Sequence, residues 1–189
     1  MRKLIAAINM TLDGYCDHTS MIADEEIHQH YTALLRSADV ILYGRITYRL
    51  MQYWQPILKN PTGDKSMDDF AVAIDNITKI VFSNTLDRAD PTALGWDSAR
   101  LATKDIRNEV LQLKQQTGKD ILVGSRSLIV TLMNLHLVDE FQLCVQPIIA
   151  GKGLSLLGNI NDRIDLKLLK IKEFASSGSI LFYYTPVEK

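Results

Sequence analysis

The sequence predicts an α/β sandwich built around a mixed sheet. Two observations point to it. Short apolar runs of strand character alternate with amphipathic segments of helical period over the first three quarters of the chain, and the chain then closes on two strand-like runs joined by Ser176-Ser177-Gly178. A third observation bounds the size. The 189 residues suffice for one core, and no internal repeat or second core is visible, so a single domain over residues 1–189 is expected.

Taken in order, KLIAAI (3–8) reads as a buried strand that ends in the polar loop NMTLDGYCDHTS. Asp24 can cap a helix over EEIHQHYTALLRS, with Ile27, Tyr31, Leu34 and Leu35 on one face and acids in the first turn. VILY (40–43) is a short apolar strand broken by Gly44. ITYRLMQYW follows with Ile46, Leu50 and Trp54 at helical spacing, and KNPTGDKS (59–66), the most polar and breaker-rich stretch, is expected to be a mobile loop. DDFAVAIDN reads as a short helix, TKIVFS (78–83) as a buried strand and SARLAT (98–103) as an edge strand. KDIRNEVLQLKQQTG gives an amphipathic helix with Gly118 at its C-terminal end, and DILVG a further strand. SRSLIVTLMNLHL makes the next helix, EFQLCVQPII the next long strand, and DLKLLKIKEFA with SILFYYT a C-terminal antiparallel hairpin.

Composition and motifs exclude several function classes. A formal net charge of −1, with 47% hydrophobic and 23% charged residues, does not suit a polyanion binder or a basic membrane-surface protein. No nucleic-acid or membrane partner is expected, and a cytoplasmic location is. Cys16 and Cys144 lie far apart without CxxC spacing, which argues for reduced thiols. There is no GxGxxG turn with its distal acid, no GxxxxGK[ST], no HExxH and no GxSxG. His28 and His30 stand two apart, on different faces of a helix, and read as a solvated pair; no metal is expected.

What remains is a repeated design at strand ends. Three apolar runs stop at small or hydroxyl residues: Gly44-Arg45, Ser83, and Gly124-Ser125. In open α/β sheets ligands bind at the carboxyl ends of strands. Two of these junctions open helices, whose N-termini present unpaired N–H groups and partial positive charge, and Arg45 and Arg126 add guanidinium forks suited to phosphate oxygens. Each junction alone is also common loop chemistry. Together they suggest a ligand with more than one phosphate.

KLIAAINMTLDGY, VILYGRITY, KIVFSNTL and ILVGSRSLIVTLM with LVDEFQLCVQPIIAGKG resemble, in order, the dihydrofolate reductase-like superfamily. They look most like the reductase domain of the bifunctional riboflavin-biosynthesis deaminase/reductase, in its small stand-alone bacterial form. The likeness covers nearly the whole chain, and GRxTY at 44–48 and LVDE…P…AGxG from Leu137 to Gly153 are its most specific pieces. The resemblance implies a three-layer sandwich with a central mixed sheet of about eight strands, and NADPH bound across the strand ends. Gly44, Arg45 and Thr47 match the segment at the cofactor's phosphates, with Arg45 on the 2′-phosphate side. Ser83 matches the serine near the adenosine ribose phosphate, and Gly124, Ser125, Arg126, Ser127 and Leu128 match the glycine pair that opens a helix under the pyrophosphate. Ala7, Asn9 and Asp13-Gly14 match the region beside the nicotinamide.

Two departures qualify these implications. Ser125 stands where the family has a second glycine, so the backbone approach could be looser, while its hydroxyl and Arg126 can donate to the same anion. The carboxylate that dihydrofolate reductases carry on the first helix has only ambiguous counterparts in Asp24, Glu25, Glu26 and His28; the acids read first as caps and dipole partners. Asp13 is the candidate catalytic residue, either a polar group beside the reacting end or the acid of a side-chain turn. The expectation is an NADPH-dependent reductase of a small heterocycle, resembling the enzyme that reduces the ribosyl C=O of 5-amino-6-(5-phosphoribosylamino)uracil. The alternative is an inactive nucleotide- or pterin-binding module on the same fold. The apolar C-terminal strands, with Phe141, Phe182, Tyr183 and Tyr184, suggest a homodimer.

Overall fold

The computed structural model describes residues 1–16, 22, 24–86 and 94–187. Its elements are β1 (Leu4–Thr11), α1 (Glu25–Ser37), β2 (Ala38–Gly44), α2 (Arg45–Met51), a 3₁₀ turn (Gln52–Trp54), α3 (Gln55–Lys59), α4 (Lys65–Asn76), β3 (Thr78–Phe82), β4 (Ala99–Leu101), α5 (Ile106–Gln115), β5 (Asp120–Val123), α6 (Arg126–Asn134), β6 (Glu140–Gln146), β7 (Leu166–Phe174) and β8 (Ser179–Pro186). The eight strands form one mixed sheet in the order β4-β3-β2-β5-β1-β6-β8-β7. Pairing is parallel from β4 to β6 and antiparallel at β6–β8 and β8–β7.

The central strands are continuous apolar runs because both of their faces are buried. Alternation sends Leu4 and Ala6 of β1, Val40 and Leu42 of β2, and Ile121 and Val123 of β5 into one cluster with Val110, Leu113, Ile129 and Leu132 of α5 and α6. Ile5, Ala7, Ile41, Tyr43 and Leu122 enter the other, with Leu34, Leu35, Tyr48 and Ile74 of α1, α2 and α4. This is the three-layer sandwich. Each central strand buries on the order of 1.5–3 kcal/mol per large side chain, so its register cannot slip by one residue without exchanging the two cores.

Several boundaries differ from the sequence reading, each for a local reason. β1 runs on to Thr11 because its pairing with β6 continues as far as Gln146, so Asn9 lies on the strand itself. The segment 59–66, expected to be a mobile loop, is a hydrogen-bonded turn. Asp64 caps α4 by accepting from the Ser66 and Met67 amides, and Asp68 accepts from the Thr62 amide at 2.8 Å and the Gly63 amide at 3.2 Å. The helix expected to end at Trp54 continues through the 3₁₀ turn into α3. Gly118 lies beyond the end of α5, at φ +153°, where a Cβ would stand 2.5 Å from Asp39 Oδ2 against the Arg2–Asp39 ion pair. The C-terminal hairpin turns at Gly178, whose φ is +67°, and carries a bulge between Leu168 and Lys170.

Candidate functional site

Five helices start from extended backbone, and their caps fall into two groups. α1, α4 and α5 begin with Asp24, Asp64 and Asp105, each accepting from amides of its own first turn. α2 and α6 begin at Gly44 and Ser125, which make no side-chain cap bond. These two uncapped ends sit side by side at the carboxyl ends of β2 and β5, with their N–H groups left for another acceptor. Between them and the end of β3 lies a cleft of about 260 Å³, lined by Gly44, Arg45, Ile46, Thr47, Phe82, Ser83, Asn84, Thr85, Ser127 and Leu128. Six of the residues expected from the sequence therefore line one surface: Gly44, Arg45, Thr47, Ser83, Ser127 and Leu128.

Ser125 sits behind that surface. It is 1% exposed, and its hydroxyl oxygen accepts from the Gly44 amide at 2.9 Å, tying one junction to the other. A Cβ at Gly44 would lie 3.6 Å from Ser127 Oγ, so the β2–α2 turn is packed directly on the start of α6. Ser83 makes a turn of its own, its hydroxyl oxygen accepting from the Thr85 and Leu86 amides at 3.1 Å each. Arg126 faces elsewhere: its Nε donates to the Ser155 carbonyl at 2.8 Å and a terminal nitrogen donates to the same oxygen. It anchors the segment after β6, and the cleft retains Arg45.

The second half of the site lies along β1. Gly124 backs onto the Tyr43 ring and the Ala7 carbonyl, which joins the β5–α6 junction to the end of the first strand. Beyond Ala7, the Tyr31 hydroxyl of α1 donates to Asn9 Oδ1 at 2.6 Å. Burial pushes the Tyr31 hydroxyl well above its ordinary pKa, so it stays a proton donor to Asn9. With Oδ1 occupied, Nδ2, which has no hydrogen-bond partner among the described residues, is the other polar end of the amide and carries two donors. The family resemblance had pointed to Asn9, but nothing in the sequence linked it to Tyr31, which helical period marks only as an apolar-face residue.

Asp13 is exposed to solvent, yet three hydrogen bonds hold its carboxylate. It accepts from Thr11 Oγ1 at 2.6 Å and from the Ala150 and Gly151 amides at 3.1 and 2.7 Å. The Thr11 hydroxyl does most to hold its carboxyl down to about 2; desolvation opposes this, and the Gly151 and Ala150 amides add to the lowering. Further bonds, Leu12 N–H to Ile148 O, Cys16 N–H to Leu154 O and Leu156 N–H to Gly14 O, sew this loop to the segment after β6. The acids of the first helix are likewise committed. Asp24 caps Ile27 and accepts from Ser176 Oγ, Glu26 accepts from Ser176, and Glu25 from Gln29.

The two histidines correct the sequence reading. They do point to different faces of α1, yet neither is a solvated side chain. His28 packs edge-on to Trp54 at 5.7 Å and near Phe70 at 6.1 Å, and His30 lies against Tyr31, Phe174 and Tyr183. Burial, then Lys172 and Lys170, push His30 down to about 4. Sequence periodicity assigned faces correctly but could not say which other elements would cover them.

A sheet of this order, with its uncapped helix ends and cleft at the strand ends, defines an α/β domain with a candidate ligand cleft where the parallel strands end. A profile of the RibD C-terminal domain matches residues 2–178, and the chain belongs to that family, a reductase domain family. It is 34% identical over 187 residues to the uncharacterized protein YyaP of Bacillus subtilis (strain 168), covering 97% of this chain and 94% of that one. The fold is shared with a putative riboflavin biosynthesis protein from Shewanella sp. PV-4 at a TM-score of 0.70 and 17% identity, over 98% of this chain and 99% of the other. A pyrimidine reductase-like protein from Corynebacterium diphtheriae superposes equally well, at a TM-score of 0.70 and 16% identity, over 100% and 93% of the two chains.

Proposed function

We propose that the protein is an NADPH-dependent reductase of a small heterocyclic substrate, similar in kind to a 5-amino-6-(5-phosphoribosylamino)uracil reductase. The observation that carries this is the contrast in helix caps: α2 and α6, which open onto the strand-end cleft, have no side-chain cap and start beside Arg45, while α1, α4 and α5 each spend an aspartate there. Such a surface suits a dinucleotide with a pyrophosphate and a further phosphate. NADPH, when bound, supplies the hydride.

This chain's own residues then bind and orient. The first amides of α6, at Ser127 and Leu128, suit the pyrophosphate, and the Ser83 and Thr47 hydroxyls and the Arg45 guanidinium suit the phosphate on the adenosine side. Ser125 contributes indirectly, by holding Gly44 at a fixed height over α6. Ala7 and Asn9 border the nicotinamide end, where Nδ2 of Asn9 can donate to an acceptor atom of the carboxamide or of the substrate. Asp13, with its carboxyl held near 2, is better suited to position the loop over this end than to deliver a proton.

Calorimetric titration with NADPH and NADH, followed by turnover assays over pyrimidines and pterins, tests the reading. Binding with a preference for NADPH, and oxidation of NADPH by a member of the panel, is expected. Binding without turnover would favour an inactive nucleotide-binding module, and absence of binding would remove the reductase assignment. Arg45→Ala should weaken NADPH about tenfold or more and NADH much less, since only the former offers a 2′-phosphate to the guanidinium.

A further inference from the structure

We infer that Lys79 is a positioning residue for the strand-end cleft: from the far end of β3 it fastens residues 94–98 as a strap against α2, the helix that brings Arg45 and Thr47 to that cleft. The inference rests on the reading of the cleft as a dinucleotide site. A lysine wholly inside a sandwich needs compensation for its charge. Lys79 is the second residue of β3 and 0% exposed. An ammonium carries three donors, and Nζ of Lys79 donates to the Asp75 carbonyl at 3.0 Å, the Ile77 carbonyl at 2.9 Å and Ser98 Oγ at 2.6 Å. It also stands 4.0 Å from the centre of the Trp96 ring. Burial pulls the ammonium down to about 8, with Asp75 opposing, so at neutral pH all three donors are present.

Two of those acceptors are ordinary. The Asp75 and Ile77 carbonyls close the end of α4, where a lysine is a common partner for carbonyls left without an amide. Ser98 and Trp96 lie outside that helix, and through them the lysine reaches the end of the connection from β3 to β4. Trp96 Nε1 donates to Asp75 Oδ1 at 2.6 Å and Ser98 Oγ to the Asp75 carbonyl at 2.7 Å, while the Ser98 carbonyl accepts from the Lys79 amide at 2.8 Å. The strap is thus closed on the β3 side around one ammonium.

On its other side the strap grips α2 and the turn after it. The Tyr48 hydroxyl and Gln52 Nε2 both donate to the Leu94 carbonyl, at 2.9 and 2.7 Å, and Gln55 Nε2 donates to the Gly95 carbonyl at 2.8 Å. The Tyr48 and Trp96 rings meet at 6.1 Å, and Tyr48, Leu94 and Trp96 are all buried. α2 has seven residues and no side-chain cap, too little to hold its own position, so its placement comes from what packs on it. Tyr48 follows Thr47 directly and stands three residues beyond Arg45, so the contact that fixes Tyr48 also fixes the phosphate-facing start of the helix. Lys79 touches neither the cleft nor a bound nucleotide; it acts through Trp96, Ser98 and Tyr48.

Lys79→Met keeps the stem and removes the donors. Calorimetric titration of the full chain should show NADPH affinity about tenfold weaker, the effect of roughly one charge-assisted hydrogen bond, with kcat at saturating NADPH unchanged. In the cofactor-free protein, amide hydrogen exchange should speed up over α2 and stay as it is over α6. Tyr48→Phe cuts the strap from α2 without touching Lys79; it should reproduce the loss, and the double variant should lose little more than either single one. Lys114→Met removes another buried lysine, on the α5 side of the sheet, and should move neither NADPH affinity nor α2 exchange. If Lys79→Met does not fold, Tyr48→Phe with Ser98→Ala carries the same comparison. Unchanged affinity and exchange in Lys79→Met, additive losses in the pair, or an equal loss in Lys114→Met would overturn the proposal. A wild-type chain that bound no dinucleotide would end the reading of the cleft; faster α2 exchange in Lys79→Met would then still support the strap, and unchanged exchange would still overturn it.

Discussion

At the scale of single residues, the site is arranged through hydrogen bonds that set direction. Tyr31 touches neither the cleft nor, on the proposed reading, the reacting atoms; it is a positioning residue that fixes which end of the Asn9 amide is free. Tyr31→Phe keeps the ring and releases that choice, so turnover should fall about tenfold, the worth of roughly one hydrogen bond in the transition state, with NADPH affinity unchanged. Single-turnover rates and a cofactor titration separate the two, because a merely structural loss would lower both. Ser125 sets direction in the same way for Gly44. Ser125→Ala leaves the half-buried Gly44 N–H without its acceptor and should cost about 1 kcal/mol, read as a lowered urea midpoint at constant slope.

At the scale of elements, two contacts make the fold sensitive to acid in different windows. Asp13 joins the β1–α1 loop to the segment after β6 and ionises near 2, below its ordinary 3.8. Its contribution is therefore complete above 3.8 and is lost as pH falls through 2. Asp13→Asn should lower the thermal midpoint at neutral pH while leaving the pH profile of turnover unchanged between about pH 5 and 9, where a general acid at this position would show itself. His30, between α1 and the β7–β8 hairpin, behaves as a buried neutral base. With its folded value near 4 and its ordinary value of 6.5, the unfolded chain takes up the proton first, so stability falls as pH drops from 6.5 towards 4. Nε2 of His30 is buried without a hydrogen-bond partner among the described residues, so replacement by an apolar ring leaves no polar group orphaned. His30→Phe should flatten that slope, which urea midpoints at pH 7 and at about pH 4.5 would show.

At the scale of the whole molecule, the sheet was readable because its chemistry is periodic. Alternation and helical period in KLIAAI, DILVG and EEIHQHYTALLRS follow from burial on both strand faces or on one helix face, and each appears as the element predicted. The strand-end junctions were readable as well, since Gly44-Arg45, Ser83 and Gly124-Ser125 directly follow apolar runs in the chain, and Gly44, Arg45 and Ser83 line one cleft. Less could be read where a side chain had two possible partners. Arg126 stands at a phosphate-binding junction by sequence, yet its guanidinium is spent on the Ser155 carbonyl, 29 residues away. The polar, breaker-rich 59–66 segment looked mobile, and two aspartates hold it: Asp64, which caps the following helix, and Asp68 in that helix's first turn.

The division between sequence and tertiary structure has a single physical basis. Local backbone preference and burial period are properties of neighbouring residues, so the sequence by itself determined the α/β class, nearly all the elements and the small and hydroxyl residues that close the strands. Strand order was decided only in three dimensions, because it depends on which elements bury one another. With it came every long-range contact that assigns a role: Ser125 to Gly44 across 81 residues, Tyr31 to Asn9, and Asp13 to Gly151 across 138. A hydrogen bond between residues so far apart leaves no period in the chain, and only the packed sheet brings its two ends within reach.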